Sequence, residues 1–247
     1  MDRPAPVAAP TCFYEHRPST PLLRRATAEL VGTFLLTDAV FGAIFATQHL
    51  FHDAPILGGL VAGAIAAGAL IALIFALGGA SGGHFNPLIT FLQWVQGDRP
   101  LPCLVFYTIA QFAGGLLGIA LCTYFYGHPA PGTVTPPLTL IAAASEFLAT
   151  GGLMAVIFSC IRSGRVIEGP LAVGAWFIAL AAAAPTSAFA NPVILAGAFI
   201  FVSHGPGAVV TAMGYLILQI VAALAGYLFV TVIYPRADMS VAASPRP

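Results

Sequence analysis

Residues 82–94 read "GGHFNPLITFLQW", directly behind an apolar run at 55–79 long enough to cross a bilayer. A bilayer-crossing helix needs about 20 apolar residues, and this stretch interrupts one. Proline pushes the residue before it out of helical geometry. Asparagine is a favoured N-cap, and proline in the first turn lacks only an N–H that would have no intrahelical partner. Asn86-Pro87 therefore reads as a helix start. The helix it opens, 86–96, has eleven residues before Gly97, or about 16 Å at 1.5 Å per residue, half a membrane thickness. A second Asn-Pro stands in "AFANPVIL", and the helix it opens, 191–202, has twelve residues, or about 18 Å.

The composition places these half-helices in lipid. The chain is 59% hydrophobic and 7% charged, with mean hydropathy +0.92; a soluble domain is about 25% charged. Zero net charge gives no reason to expect nucleic acid as a partner. Cys12, Cys103, Cys122 and Cys160 are scattered without metal-site spacing and read as small buried hydrophobes.

Apolar stretches fall at 26–47, 55–79, 104–126, 138–160, 169–184 and 208–233, predicting six membrane spans. All nine basic residues are arginines, and they sit before span one, between two and three, between four and five, or after span six. Every one lies on the same side of a six-span chain. By the positive-inside rule both termini are cytoplasmic, in a plasma or inner membrane.

The spans repeat. "AELVGTF" at 28–34 matches "SEFLATG" at 145–151, which pairs Glu29 with Glu146; "YTIAQFAGGLLG" from Tyr107 matches "YLILQIVAALAG" from Tyr215. The organisation expected is a cytoplasmic tail (1–22), a first three-helix repeat (23–126), a Pro-rich linker (127–137), a second repeat (138–235) and a second tail (236–247). Three spans per repeat is an odd number, so the second is inverted. Inverted repeats place a solute site near the midplane, built from broken helices whose N-termini point at it. Each tip carries roughly half a positive charge, and the asparagine amide adds a donor in an apolar wall.

"SGGHFNP", "ANP" in the other half, "AELVGTFLL" and "YTIAQFAGG" together resemble the aquaporin family, the major intrinsic proteins, over about 22–235. The resemblance implies an all-α integral membrane fold of six transmembrane helices plus two half-helices around a narrow pore. It also implies four pores per homotetramer, passive passage of water or small neutral solutes, and no cofactor or catalysis. By position, Asn86 and Asn191 would hydrogen-bond the solute, Pro87 and Pro192 would stack at the half-helix junction, Glu29 and Glu146 would hold the entrant loops, and His84 would face the cytoplasmic pore mouth.

The sequence departs from the family at three places. The usual alanine after each Asn-Pro is Leu88 and Val193, bulky enough to narrow the mid-pore. The usual filter arginine is Ile194, and the other filter positions fall on Ala66, about Ala179, and Ala188. An apolar ring of mostly small residues implies larger neutral solutes, such as glycerol-like polyols, small amides or uncharged metalloid hydroxides, with water beside them. Three alternatives stand against this: a water-selective pore refilled by Phe189 or His204, an ion-coupled transporter, and an occluded scaffold. Asp38, nine residues from Glu29, falls on the opposite helix face, toward a neighbouring subunit, and calls for a polar partner there.

Overall fold

The computed structural model describes residues 20–127, 137–184, 188–202 and 207–234. Within them the chain is helical: α1 (Leu22–Leu50), α2 (Pro55–Ser81), α3 (Pro87–Val95), α4 (Leu101–Tyr126), α5 (Leu140–Arg162), α6 (Gly169–Ala183), α7 (Pro192–Gly197) and α8 (Ala208–Ile233). Five of these are long and apolar enough to cross a membrane, and α6 is shorter, at 15 residues. The α7 helix widens into a π-helical turn at Ala198–Val202. A π turn is uncommon and frequent at functional sites.

Glycines set the helix crossings. A Cβ on Gly114 would stand 2.1 Å from the Leu30 carbonyl oxygen, and one on Gly118 would stand 2.4 Å from that of Phe34. In the second half a Cβ on Gly226 would meet the Gly151 carbonyl oxygen at 2.1 Å. Thus α4 lies backbone-to-backbone on α1, and α8 on α5, as small residues permit in lipid, where dispersion replaces the hydrophobic effect as the drive for helix packing. The halves also meet through α2 and α6, where Gly63 receives Ala181 and Gly174 receives Ile71.

Two short half-helices fill the space these crossings enclose. Gly82 and Gly83 stop α2 by turning left-handed, with φ of 96° and 64°. The chain then runs four residues, from Gly82 to Phe85, to the Asn86 cap. Non-helical backbone at membrane depth survives where protein or a water-lined cavity surrounds it; Gly82 through Asn86 are all buried.

Candidate functional site

The two entrant loops are built alike. Asn86 and Asn191 are both extended, with φ of −151° and −156°. Each side-chain oxygen accepts from the backbone N–H two residues on, Leu88 at 3.0 Å and Val193 at 2.9 Å. Each then reaches across to the other loop. The Asn86 Nδ2 donates to the Ala190 carbonyl at 2.8 Å, and the Asn191 Nδ2 donates to the Phe85 carbonyl at 2.8 Å. An amide nitrogen has two N–H donors, so this clasp engages one and leaves one on each asparagine. The residues supplying the carbonyls carry the strain: Phe85 and Ala190 sit at φ 47° and 50°, a left-handed region uncommon for residues with a Cβ. Pro87 and Pro192 are buried in the first turns of α3 and α7.

A buried carboxylate stands behind each loop. Glu29 accepts from the His84 backbone N–H (3.0 Å) and the Ser81 hydroxyl (2.6 Å) on one oxygen, and from the Phe85 backbone N–H (2.7 Å) and Gln111 (2.8 Å) on the other. Glu146 accepts from the Phe189 (2.8 Å) and Ala190 (2.7 Å) backbone N–H groups and from Gln219 (2.8 Å). A charge in the membrane needs partners, and a loop leaving a helix needs acceptors for its N–H groups. Each glutamate meets both needs, and its glutamine ties it to the crossing helix.

A cavity runs past the paired asparagines. The first half lines it with Ala66, Leu70, Ile74, His84 and Asn86 among others, and the second half with Leu153, Ile157, Val173, Phe177, Asn191 and Ile194. Its volume, counted as space open to water centres, is ≈ 30 Å³. One water needs roughly 10–15 Å³ on that measure, so the cavity has room for about two or three waters. Among the described residues, His84, Asn86 and Asn191 are its polar side chains.

Three expectations from the sequence change here. Ala179 is exposed, and the α6 side chains on the cavity are Val173 and Phe177, with Ala66 and Ile194 also in its wall. At 100° per residue, two positions turn the side chain 200° round the helix, so Ala179 faces away. Ala188 is half-buried against the core cluster and off the cavity. Leu88 and Val193 are buried but do not line the cavity. Val193 instead packs into the space left by Gly115 of α4, where a Cβ would stand 2.0 Å from its methyl. The bulk of Val193 therefore fills a helix joint, that of Leu88 lies in the core cluster, and neither side chain lines the cavity. Phe189 turns its ring edge-on to Tyr215, centroids 5.4 Å apart, and packs on Phe199, so it does not refill the ring; His204 lies outside the described residues.

The first half adds polar groups whose joining no sequence pattern signals. The buried His84 has Nδ1 2.9 Å from the Thr90 hydroxyl and its ring edge-on to Tyr107 at 5.3 Å. Tyr107 donates to the Ser81 carbonyl at 2.8 Å and accepts from Arg25 Nε at 3.0 Å. Arg99 donates to Gln93 at 3.1 Å. Asp38 finds its partner inside the chain: the Cys122 thiol of α4 lies 3.2 Å from a carboxylate oxygen.

The chain matches the sequence pattern of the major intrinsic protein family over residues 16–203. It is similar to Aquaglyceroporin AqpS of Rhizobium meliloti, 35% identical over 70% of this chain and 74% of that protein. It is also similar to the probable aquaporin AqpM of Archaeoglobus fulgidus, 36% identical over 60% of this chain and 69% of the relative. Aquaporin NIP1-1 of Zea mays is 30% identical over 64% of this chain and 56% of its own length. With paired Asn-Pro half-helices inside a helical membrane bundle, the chain belongs to the major intrinsic protein family of membrane channels for water and small solutes.

Proposed function

We propose that the protein passes small uncharged solutes passively along the cavity between the two Asn-Pro tips. Glycerol-like polyols, small amides and neutral metalloid hydroxides are its solutes, with water beside them. The observation that carries this reading is that Ala66, Phe177 and Ile194 line the cavity; read as a ring, they present neither a charge nor a hydrogen-bonding side chain. A solute crossing such a ring loses water contacts without replacing them, which costs least for solutes with apolar surface and no charge. In this reading the free N–H of Asn86 and of Asn191 donates to solute oxygen at the midpoint. The two helix tips, both N-terminal, repel cations there.

Glu29 and Glu146 are assigned to holding the loops, and His84 to the cytoplasmic mouth. Both termini are placed in the cytoplasm by the arginine distribution, although Arg25 and Arg162 also have structural partners; Arg162 caps α8 by donating to the Tyr234 carbonyl at 2.7 Å. The functional unit is taken as a homotetramer, as the family resemblance implies.

Phe177 favours a second reading, a pore selective for water, because an aromatic ring narrows what small residues would leave wide. Stopped-flow light scattering on proteoliposomes separates the two. Polyol, urea or arsenous acid flux above that of empty vesicles supports the first. Water flux that excludes all three establishes the second.

A further inference from the structure

We propose that Thr90 is a positioning residue that holds His84 as the Nε2–H tautomer, so that the imidazole donates a hydrogen bond into the cavity. The inference rests on reading the cavity as the solute path.

The chain of contacts begins at Glu29. A carboxylate only accepts, so the 2.8 Å contact with Gln111 fixes the glutamine's NH₂ group toward Glu29. The same Nε2 lies 3.1 Å from the Thr90 hydroxyl oxygen. Both N–H groups of Gln111 are then engaged, and Thr90 accepts the second. Thr90 keeps one proton of its own, with two acceptors in reach. One is the Asn86 carbonyl at 3.3 Å, beyond the usual 2.5–3.0 Å of an O–H···O bond. The other is His84 Nδ1 at 2.9 Å. The shorter contact takes the proton.

A neutral imidazole that accepts at Nδ1 carries its hydrogen on Nε2. His84 is 1% exposed, its Nε2 makes no hydrogen bond within 3.5 Å among the described residues although the Gln93 side chain lies near the ring, and its side chain lines the cavity. Buried donors are rarely left unmet, and a solute oxygen in the passage can meet this one. With the free N–H groups of Asn86 and Asn191, the cavity's polar side chains become three donors. Such a path suits solutes that present oxygen lone pairs. The second half has no counterpart: Leu195 stands three residues after Pro192, where Thr90 stands after Pro87, and Phe189 stands where His84 does.

The test is nitrogen NMR on the full-length protein in lipid bilayers with nitrogen-15 histidine, the His84 signals being assigned by their loss in His84→Gln. We expect a protonated Nε2 and a bare Nδ1 in the native protein and in Thr90→Ser. In Thr90→Val the preference should vanish or invert, and solute flux should fall about threefold, the size of one weakened hydrogen bond. A native Nδ1–H tautomer, or a Thr90→Val spectrum identical to the native one, overturns the proposal. Because the tautomer is read without transport, failure of the channel reading would show separately, as absent flux with the spectra as expected.

Discussion

The two halves share a skeleton and differ in what they hang on it. Glu29 and Glu146, Gln111 and Gln219, and the left-handed Phe85 and Ala190 stand at matching places and make matching bonds. Tyr107 and Tyr215 each take a ring edge-on, at 5.3 and 5.4 Å, but the ring is His84 in the first half and Phe189 in the second. Around His84 gather Thr90, Gln111 and, through Tyr107, Arg25. Around Phe189 gather Phe199 and Tyr215. Backbone demands explain the sharing: each entrant loop exposes N–H groups that only a fixed acceptor can satisfy, whatever solute passes. Cavity side chains that cap no helix and hold no loop are under no such demand, so they are free to diverge. Of the three polar side chains on the cavity among the described residues, His84 and Asn86 come from the first half and Asn191 comes from the second.

The largest effects should fall on the shared skeleton. Glu29→Ala strands two backbone N–H groups, a hydroxyl and an amide, and Glu146→Ala strands two N–H groups and an amide, its contact with the Thr150 hydroxyl being long at 3.5 Å. Unsatisfied buried donors cost about 1–3 kcal/mol each, so both variants should lose several kcal/mol, with Glu29→Ala the worse. Thermal unfolding in detergent measures this, alongside loss of flux. A native melting temperature in either variant would break the claim that the carboxylates hold the loops.

Next come the paired crossings. Gly118→Ala and Gly226→Ala put a methyl against backbone oxygen in both halves, and overpacking of this kind costs about 1–3 kcal/mol. The Gly226 site should suffer more, because every close atom there belongs to the Gly151 backbone, whereas Gly118 also faces the Thr37 hydroxyl. Equal melting temperatures for the two variants would remove that distinction.

The sequence made the shared skeleton legible because repetition amplifies weak signals. One Asn-Pro is an ordinary turn, but two in mirrored places mark paired helix tips. The glutamates and glutamines surfaced by the same alignment. What differs between the halves had no second copy to betray it. Thr90 and Tyr107 look like any polar residues in an apolar helix, and their joining to His84 depends on the path of α4 past α3. The α6 helix was hardest to read. Its sequence "GPLAVGAWFIALAAA" is apolar on every side, so periodicity marks no inner face. Counting back from Asn191 then chose Ala179, because no residue pattern showed which side of α6 turned inward. Leu88 and Val193 misled for a related reason: their size was visible, but the glycine that receives Val193 lies on another helix.

Phe177 and Ala179 give the finest test of that difference, since they are two residues apart on α6, the first on the cavity and the second facing away. Removing the ring in Phe177→Ala should raise the ratio of glycerol to water flux roughly fivefold, about 1 kcal/mol of barrier, with Phe177→Leu between it and the native protein. Adding a ring at the outward-facing position, Ala179→Phe, should leave that ratio unchanged. Both ratios come from stopped-flow traces on the same proteoliposomes, normalised to the protein reconstituted. If Ala179→Phe lowered glycerol flux and Phe177→Ala did nothing, α6 would be turned by 200° from the orientation described, and the ring would be made of small residues after all. If both changed the ratio, the wall on this side would be wide enough for each to reach it, and the apolar second half would select by size over a longer stretch than one ring.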